Sequence, residues 1–174
     1  EHPWEWCTTL VKGPWGWKPD CEVKSLATCV RFLVSAAGRD GNFLLNVGPR
    51  PDGTIDPAQA QRLREVGAWL RLNGKSIYGT RGGPWLPGDY GVSTHRENLV
   101  FVHVLQWPGQ TLTLPALPAK VLKATRLDGD AISFRQDEQS VELTVPAKPS
   151  EALDTIIELE LDRSSVGMAP VAVH

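Results

Sequence analysis

The segment Asn42–Val47 constrains the fold of this 174-residue chain more than any other part of its sequence. It is short and nearly all apolar, and a helical pattern stands on each side of it, over Glu22–Ala37 and Pro57–Leu72. A strand with apolar residues on both faces is typical of the buried parallel sheets of α/β proteins. The helix–strand–helix order with short connections therefore predicts part of a βα barrel or of a doubly wound sheet.

The stretch that follows this strand reads GPRPDGTID and predicts a turn and a helix start. It has neither the Gly-Lys-Ser/Thr sequence of a phosphate-binding loop nor the glycine spacing of a dinucleotide site. Pro49 and Pro51 fix the backbone, and Asp52-Gly53 favours a tight turn. Asp56 is a good N-cap for the second helix, with Pro57 at the first helical position.

The pattern changes after Arg81-Gly82-Gly83-Pro84. Short β-branched and apolar segments then alternate with turn signals, which is typical of an antiparallel sandwich. We place a boundary near residues 79–88, so that one domain spans 1–81 and a second spans 82–174. The predicted strands of the second domain are Leu99–Gln106, Thr111–Leu114, Val121–Leu127, Ala131–Phe134, Ser140–Val145 and Thr155–Leu161.

Residues 1–81 are too few for a closed (βα)8 barrel, which needs about 250 residues. Two βα units alone would leave long unpaired sheet edges. The fold class we predict is α/β plus all-β: the C-terminal βα units of a (βα)8-like barrel followed by an antiparallel β-sandwich. The chain has no initiator methionine, so we expect a piece of a longer polypeptide, and the lack of a signal peptide leaves the compartment unknown.

Composition narrows the range of partners. Apolar residues make up 41% of the chain and the net charge is −2, which predicts a packed core without nucleic-acid or membrane partners. No apolar run reaches membrane-spanning length. Three cysteines without a CxxC pair and four histidines without ligand spacing predict no metal site. A disulfide between Cys7 and Cys21 is possible, and the sequence does not decide whether it forms.

Seven tryptophans are the compositional anomaly, and Trp4, Trp6, Trp15 and Trp17 lie within the first 17 residues. They can be core residues, or flat surfaces for sugar C–H groups. Glu5 lies between two indoles, where a desolvated carboxyl has a raised pKa and can serve as a general acid. The alternative is an ion pair or a surface carboxylate. No second carboxylate has a clear claim to pair with Glu5, although glycoside hydrolysis normally uses two.

Several motifs occur together in a fixed order: WEWCTTL, PWGW, KSL, GNFLLNVGP, DGTI, RL, GAWL and NGKSIYGTR. In this order and spacing they closely resemble the C-terminal portion of the α-L-fucosidases of glycoside hydrolase family 29. The resemblance is continuous over residues 4–81. Over residues 85–174 it is weaker and rests on position and strand pattern, which fit the C-terminal sandwich of that family.

The resemblance implies a retaining exo-hydrolase that removes terminal α-linked L-fucose without a cofactor. The family's nucleophile is an Asp on an upstream strand that no position here matches, so we expect the chain to be inactive alone. Glu5 aligns with the acid/base of one branch, whereas another branch uses a Glu on a preceding loop. Trp15 matches the aromatic that packs near the fucose methyl group, and Trp4 and Trp17 are further substrate-binding candidates.

The partners that the resemblance implies are a fucosylated glycan or glycoside and the N-terminal remainder of the barrel, or a second chain that supplies it. The resemblance also implies that the protein is located in an extracellular, periplasmic or lysosomal-type compartment. Two other hypotheses remain. The chain can be an isolated carbohydrate-binding or docking sandwich, or an inert fragment that forms a homo-oligomer through its barrel edge.

Overall fold

A computed structural model of the chain describes residues 2–144 and 153–173. Its first half consists of two strands and two helices, which alternate along the chain. The strands pair in parallel, with Glu5 opposite Asn42 and Thr9 opposite Asn46. The elements are β1 (Glu5–Thr9), α1 (Leu26–Gly38), β2 (Asn42–Asn46) and α2 (Pro57–Asn73), and a 3-10 turn over Gly74–Ser76 follows.

Both predicted helices are present, and one of them begins later than its sequence pattern. Helix α1 starts at Leu26 because Ser25 is its cap: the Ser25 hydroxyl accepts a hydrogen bond from the Thr28 N–H at 3.1 Å. Val23, inside the predicted helix, instead forms a β-bridge with Val11. Helix α2 begins as predicted, since the Asp56 carboxylate accepts from the Ala58 N–H at 3.0 Å.

The second half consists of antiparallel strands in two sheets. Five strands pair in the order β3-β4-β5-β10-β7 and three in the order β6-β9-β8. All six predicted strands have a counterpart here, except that Val145, the expected end of one of them, lies outside the described residues. The strands are β3 (Arg81–Gly82), β4 (Gly91–Arg96), β5 (Leu99–Val104), β6 (Thr111–Pro115), β7 (Val121–Arg126), β8 (Ser133–Gln136), β9 (Ser140–Thr144) and β10 (Thr155–Leu161).

The five-stranded sheet is covered on both faces. From β5, Val100 and Val102 pack into one core with residues of the three-stranded sheet. Phe101, which points the other way, packs with Val30 and Val34 of α1. This is why five of the six residues of β5 are apolar, with His103 the exception.

The two helices therefore lie between two sheets. On their other side, Cys29 of α1 and Val66 of α2 pack with Leu10 and Leu45 around the β1–β2 pair. The order of layers is parallel pair, helices, five-stranded sheet and three-stranded sheet. The fold is mixed α/β, and its antiparallel sheets are all in the second half.

Candidate functional site

The parallel β1–β2 pair has one face against the helices and one face turned away from them. On the helix side, Trp6 contacts Phe32 with ring centroids 5.1 Å apart, and Leu45 joins the helix core. Because side chains alternate along a strand, the neighbouring residues point to the opposite face. We call that face the open face, and Leu44 on it is 41% exposed. Its residues are Glu5, Cys7, Thr9, Asn42, Leu44 and Asn46.

Glu5 is the first residue of β1 and its side chain lies on the open face in an exposed position. The Cys7 thiol donates a hydrogen bond to Glu5 Oε1 at 3.1 Å. This hydrogen bond is the main reason why the pKa of the Cys7 thiol is raised, and desolvation and the negative charge of Glu5 add to it. Cys7, Cys21 and Cys29 are all free, so the structure does not contain the Cys7–Cys21 bridge.

Trp15 and Trp17 lie in the loop that follows β1, over residues 10–22, which we call the tryptophan loop. The carbonyl oxygen of Trp15 accepts a hydrogen bond from the Asn46 side-chain amide at 2.8 Å, which ties the loop to the last residue of β2. The Trp15 side chain is 56% exposed, whereas Trp17 is half-buried. The structure thus presents the Trp15 indole to solvent at the carboxyl end of the parallel pair.

Lys24 holds the start of this loop in place. Its ammonium group donates to the carbonyl oxygens of Thr9 and Val11, at 2.5 and 2.6 Å. Thr9 is the last residue of β1 and Val11 lies just beyond it, where the sheet ladder ends and the backbone carbonyls need other donors. The sequence motif KSL therefore supplies one residue for the loop, Lys24, and one cap for α1, Ser25.

Trp4 lies at the other end of β1. Its indole N–H donates to the carbonyl oxygen of Arg39 at 3.1 Å, and its ring lies against Gly41, where a Cβ atom would come within 2.4 Å of it. These contacts place Trp4 on the turn between α1 and β2. In this structure its visible role is packing, and its role in substrate binding stays a prediction.

The structure brings some of the candidate residues together and separates others. Trp15 and Trp17 share one loop at the carboxyl end of the parallel pair, the end at which βα barrels carry their active sites. Glu5 and Trp4 lie at the amino end. From Glu5 to Thr9 the extended strand rises by about 13 Å, so the backbone of Glu5 and the loop that carries Trp15 lie at opposite ends of β1.

A cleft of about 550 Å³ opens beside the amino end of the pair. Its lining includes Asp40, Asn42, Tyr78 and Arg81, and neither Glu5 nor Trp15 is among its residues. The described residues contain no group of three or more His, Cys, Asp or Glu side chains that could hold a metal ion. Among the same residues, no helix is both long and apolar enough to cross a bilayer.

The segment GPRPDGTID forms a turn and a helix cap, as predicted. The Asp52 carboxylate accepts from the Thr54 N–H at 2.9 Å, and Arg50 pairs with the capping Asp56 at 2.7 Å. The pKa of Asp56 is lowered mainly by its hydrogen bond with Arg50. Asn46, just before this segment, and Gly48, its first residue, contact the tryptophan loop, and these two contacts were not predicted from the sequence.

Comparison with known proteins identifies the family. A sequence model described as α-L-fucosidase matches residues 1–75. The tissue α-L-fucosidase of Mus musculus is 32% identical over 167 residues, which cover 88% of this chain and 36% of that protein. The plasma α-L-fucosidase of Homo sapiens is 34% identical over 136 residues, which cover 72% of this chain and 29% of that protein. The chain thus spans roughly a third of the length of the curated relatives it matches.

Solved structures agree with the sequence matches. α-L-Fucosidase isoenzyme 1 from Paenibacillus thiaminolyticus superposes with a TM-score of 0.82 at 32% identity, over 92% of this chain and 40% of that one. A family 29 α-L-fucosidase from Bacteroides thetaiotaomicron gives a TM-score of 0.81 at 27% identity, over 91% of this chain and 38% of that one. By sequence and by fold, the chain belongs to the α-L-fucosidase family and corresponds to the C-terminal portion of its members.

Proposed function

We propose that this chain is part of a retaining exo-α-L-fucosidase that hydrolyses terminal α-L-fucosides of glycans. The observation that carries the proposal is the match to fucosidases over most of the chain in both sequence and fold. A related structure from Thermotoga maritima was solved with fucose bound, and the one from Bacteroides thetaiotaomicron contains a trapped covalent intermediate. A covalent intermediate is the mark of a retaining mechanism.

The open face supports the proposal that residues 1–81 complete a (βα)8-like barrel. Two parallel strands form a sheet with unpaired edges, and Leu44 on the open face is apolar and uncovered. Barrel strands from outside this chain would pair with these edges and cover the open face. The sandwich of residues 82–174 would then pack against the outer side of the last two helices.

Within such a barrel we assign Trp15 to substrate binding. Its exposed indole, held at the carboxyl end of the parallel pair, offers a flat surface for the apolar side of a sugar. Trp17 supports the same loop from a half-buried position. The nucleophile would be an Asp from outside this chain, because none of its residues matches that motif.

We assign Glu5 the role of acid/base. In a retaining glycosidase the two carboxyl groups lie about 5 Å apart, and the acid protonates the leaving oxygen while the nucleophile attacks the anomeric carbon. The same residue, now a carboxylate, then takes a proton from the water that hydrolyses the intermediate. Glu5 is exposed on the open face, which supports access, although it lies at the amino end of its strand.

The role of Glu5 is tested with Glu5→Gln in the full-length enzyme, using aryl α-L-fucosides that differ in leaving-group pKa. Loss of the acid slows substrates with poor leaving groups far more than those with good ones, because only the former need protonation. The matched control is Glu22→Gln, since Glu22 forms an exposed surface pair with Lys12. A small loss that is equal for all leaving groups would make Glu5 a structural carboxylate.

The fucosidase assignment itself is tested separately. We expect the full-length enzyme to release L-fucose from an aryl α-L-fucoside, and NMR should show the α-anomer as the first product, because retention preserves the configuration. The 174-residue chain alone should show no turnover. Release of the β-anomer would contradict the retaining mechanism, and turnover by the chain alone would contradict the need for an outside nucleophile.

One observation favours a second candidate function, a glycan-binding sandwich. A cleft of about 580 Å³ lies between the start of β7 and strand β8, and Phe134, 37% exposed, lines it together with Lys120, Glu138 and Arg163. An aromatic face with charged groups at its rim suits a sugar ring. The 174-residue chain should then be retained on immobilised fucosylated glycan, and Phe134→Ala should abolish retention. Leu122→Ala, exposed outside this cleft, is the control.

A further inference from the structure

Asn46 is the last residue of β2, and the tryptophan loop contacts the strand at this residue. Its neighbours Leu45 and Val47 pack towards the helices, so the Asn46 side chain points to the open face. There its amide donates to the Trp15 carbonyl oxygen at 2.8 Å, across 31 residues of sequence. An amide side chain that leaves the sheet to bind a loop carbonyl fixes the position of that loop.

Gly48 contacts the same loop by a different mechanism. A Cβ atom at this position would lie 2.5 Å from the backbone nitrogen of Trp17 and 2.7 Å from the carbonyl carbon of Gly16. Both are backbone atoms, so the clash could not be relieved by a side-chain rotation. Only a glycine allows the loop to approach β2 this closely. Two residues of one segment thus fix two successive positions of the loop.

The ring of Trp15 is left free by these contacts. The loop backbone is held by the hydrogen bond to the Trp15 carbonyl oxygen and lies close against Gly48 at Trp17, while the Trp15 indole remains 56% exposed. A binding surface for a sugar needs this combination, because an exposed ring on a fixed backbone loses little conformational freedom when a ligand binds. A residue needed only for folding would bury its indole.

We propose that Asn46 and Gly48 are positioning residues that hold Trp15 in place for the fucosyl ring of the substrate. The proposal rests on the fucosidase function proposed above. Neither residue touches the substrate in this assignment. They act through the loop, and the segment GNFLLNVGP thereby contributes to the active site as well as to the turn that follows it.

The loop position is tested directly on the 174-residue chain, without any activity. Chymotrypsin cleaves after Trp15 and Trp17, and the rate of each cut is followed by mass spectrometry relative to the cut after the exposed Tyr78. Asn46→Asp keeps the shape of the side chain and removes the donor, so these cuts should accelerate by about fivefold or more. Asn42→Asp, on the same face at the other end of β2, is the matched control and should leave them unchanged.

The link to the substrate is tested in the full-length enzyme. If Trp15 binds the sugar in ground state and transition state alike, Asn46→Asp raises KM by roughly tenfold with little change in kcat. Gly48→Ala should act in the same direction. A merely structural role would instead lower kcat through a smaller active fraction and leave KM unchanged.

These experiments separate the two proposals. If the wild-type enzyme does not hydrolyse fucosides, the proposed function is wrong. The proteolysis result does not depend on activity and still tests the positioning role. Equal cleavage rates in wild type and Asn46→Asp would overturn the positioning role. So would accelerated cleavage combined with an unchanged KM in an active enzyme, because the loop would then move without affecting substrate binding.

Discussion

The Arg81 guanidinium forms a two-point ion pair with the Asp40 carboxylate and so joins the turn between α1 and β2 to the first strand of the five-stranded sheet. Arg81 Nε lies 2.7 Å from Asp40 Oδ1, Nη2 contacts Oδ2, and the Gly82 N–H also donates to Oδ1 at 3.0 Å. Asp40 holds a left-handed backbone conformation, with φ at 61°. The pKa of Asp40 is lowered, chiefly by its hydrogen bond with Arg81.

We predict that Asp40→Asn lowers the free energy of unfolding, because it removes the charge while Asn tolerates the left-handed backbone. The side chains of Arg81 and Asp40 are 70% and 36% exposed, so solvent screening limits the loss to about 1 kcal/mol. A folded-state pKa below the unfolded value stabilises the fold above about pH 4, and this stability is lost as the pH falls through the folded pKa.

The measurement is urea denaturation of wild type and variant from pH 7 down to pH 3. The difference between them should be constant near neutral pH and shrink below about pH 4. Glu22→Gln, which breaks the more exposed pair with Lys12, is the control and should give no measurable difference. A loss of stability that does not depend on pH would show that the charge of Asp40 is not the cause.

Two helical glycines should respond in opposite directions to alanine. Gly38 ends α1 against β4, where a Cβ atom would lie 2.3 Å from Val92 Cβ, whereas Gly67 in α2 has only the tip of Arg71 within 4 Å, at 3.9 Å. We predict that Gly38→Ala destabilises by about 1–3 kcal/mol through overpacking. Gly67→Ala should stabilise by up to about 1 kcal/mol through helix propensity. Thermal denaturation of both variants checks this, and equal signs would contradict the close approach of α1 and β4.

A buried polar pair joins β5 to the start of β10. His103 Nδ1 and Asp154 Oδ2 are 2.6 Å apart, and neither side chain has exposed area. We predict that Asp154→Leu costs about 3–5 kcal/mol, because removing one partner leaves the other buried without compensation. The double variant His103→Leu/Asp154→Leu should cost less than the sum of the single variants, as measured by a chemical-denaturation cycle. Strict additivity would show that the two side chains are not coupled.

The sequence predicted the elements whose residues are either periodic or β-branched. Helix α2 was found at its first residue because Asp56 and Pro57 carry an unambiguous start signal. Strand β4 was missed because its sequence, GVSTHR, is mostly polar. The polar side chains of this strand are buried because they have hydrogen-bond partners. Thr94 donates to the Ser76 carbonyl oxygen at 2.6 Å, and His95 contacts the Ser165 hydroxyl at 2.9 Å.

The candidate site was predictable in its residue types and only partly in its geometry. Motif order pointed to the Trp15 loop, but the placement of Glu5 and of this loop at opposite ends of β1 depends on the parallel register, which pairs Glu5 with Asn42 and Thr9 with Asn46. The contact between Gly48 and the loop depends on the path of the loop through space. No local pattern of residues encodes either relationship, because both join segments more than thirty positions apart.

The Cys7 thiol reports on the state of Glu5. The hydrogen bond to the Glu5 carboxylate raises the pKa of Cys7, so we expect a smaller fraction of the thiol to be ionised at pH 8 and its alkylation to be slower than that of an unperturbed exposed thiol. We predict that Glu5→Gln increases the rate of Cys7 alkylation by iodoacetamide about twofold or more, because the variant removes the carboxylate that disfavours the thiolate. Peptide mass spectrometry measures the rate, with Cys21 as the internal reference and Glu22→Gln as the control. An identical Cys7 rate in Glu5→Gln and wild type would mean that the contact between Glu5 and Cys7 does not form in solution.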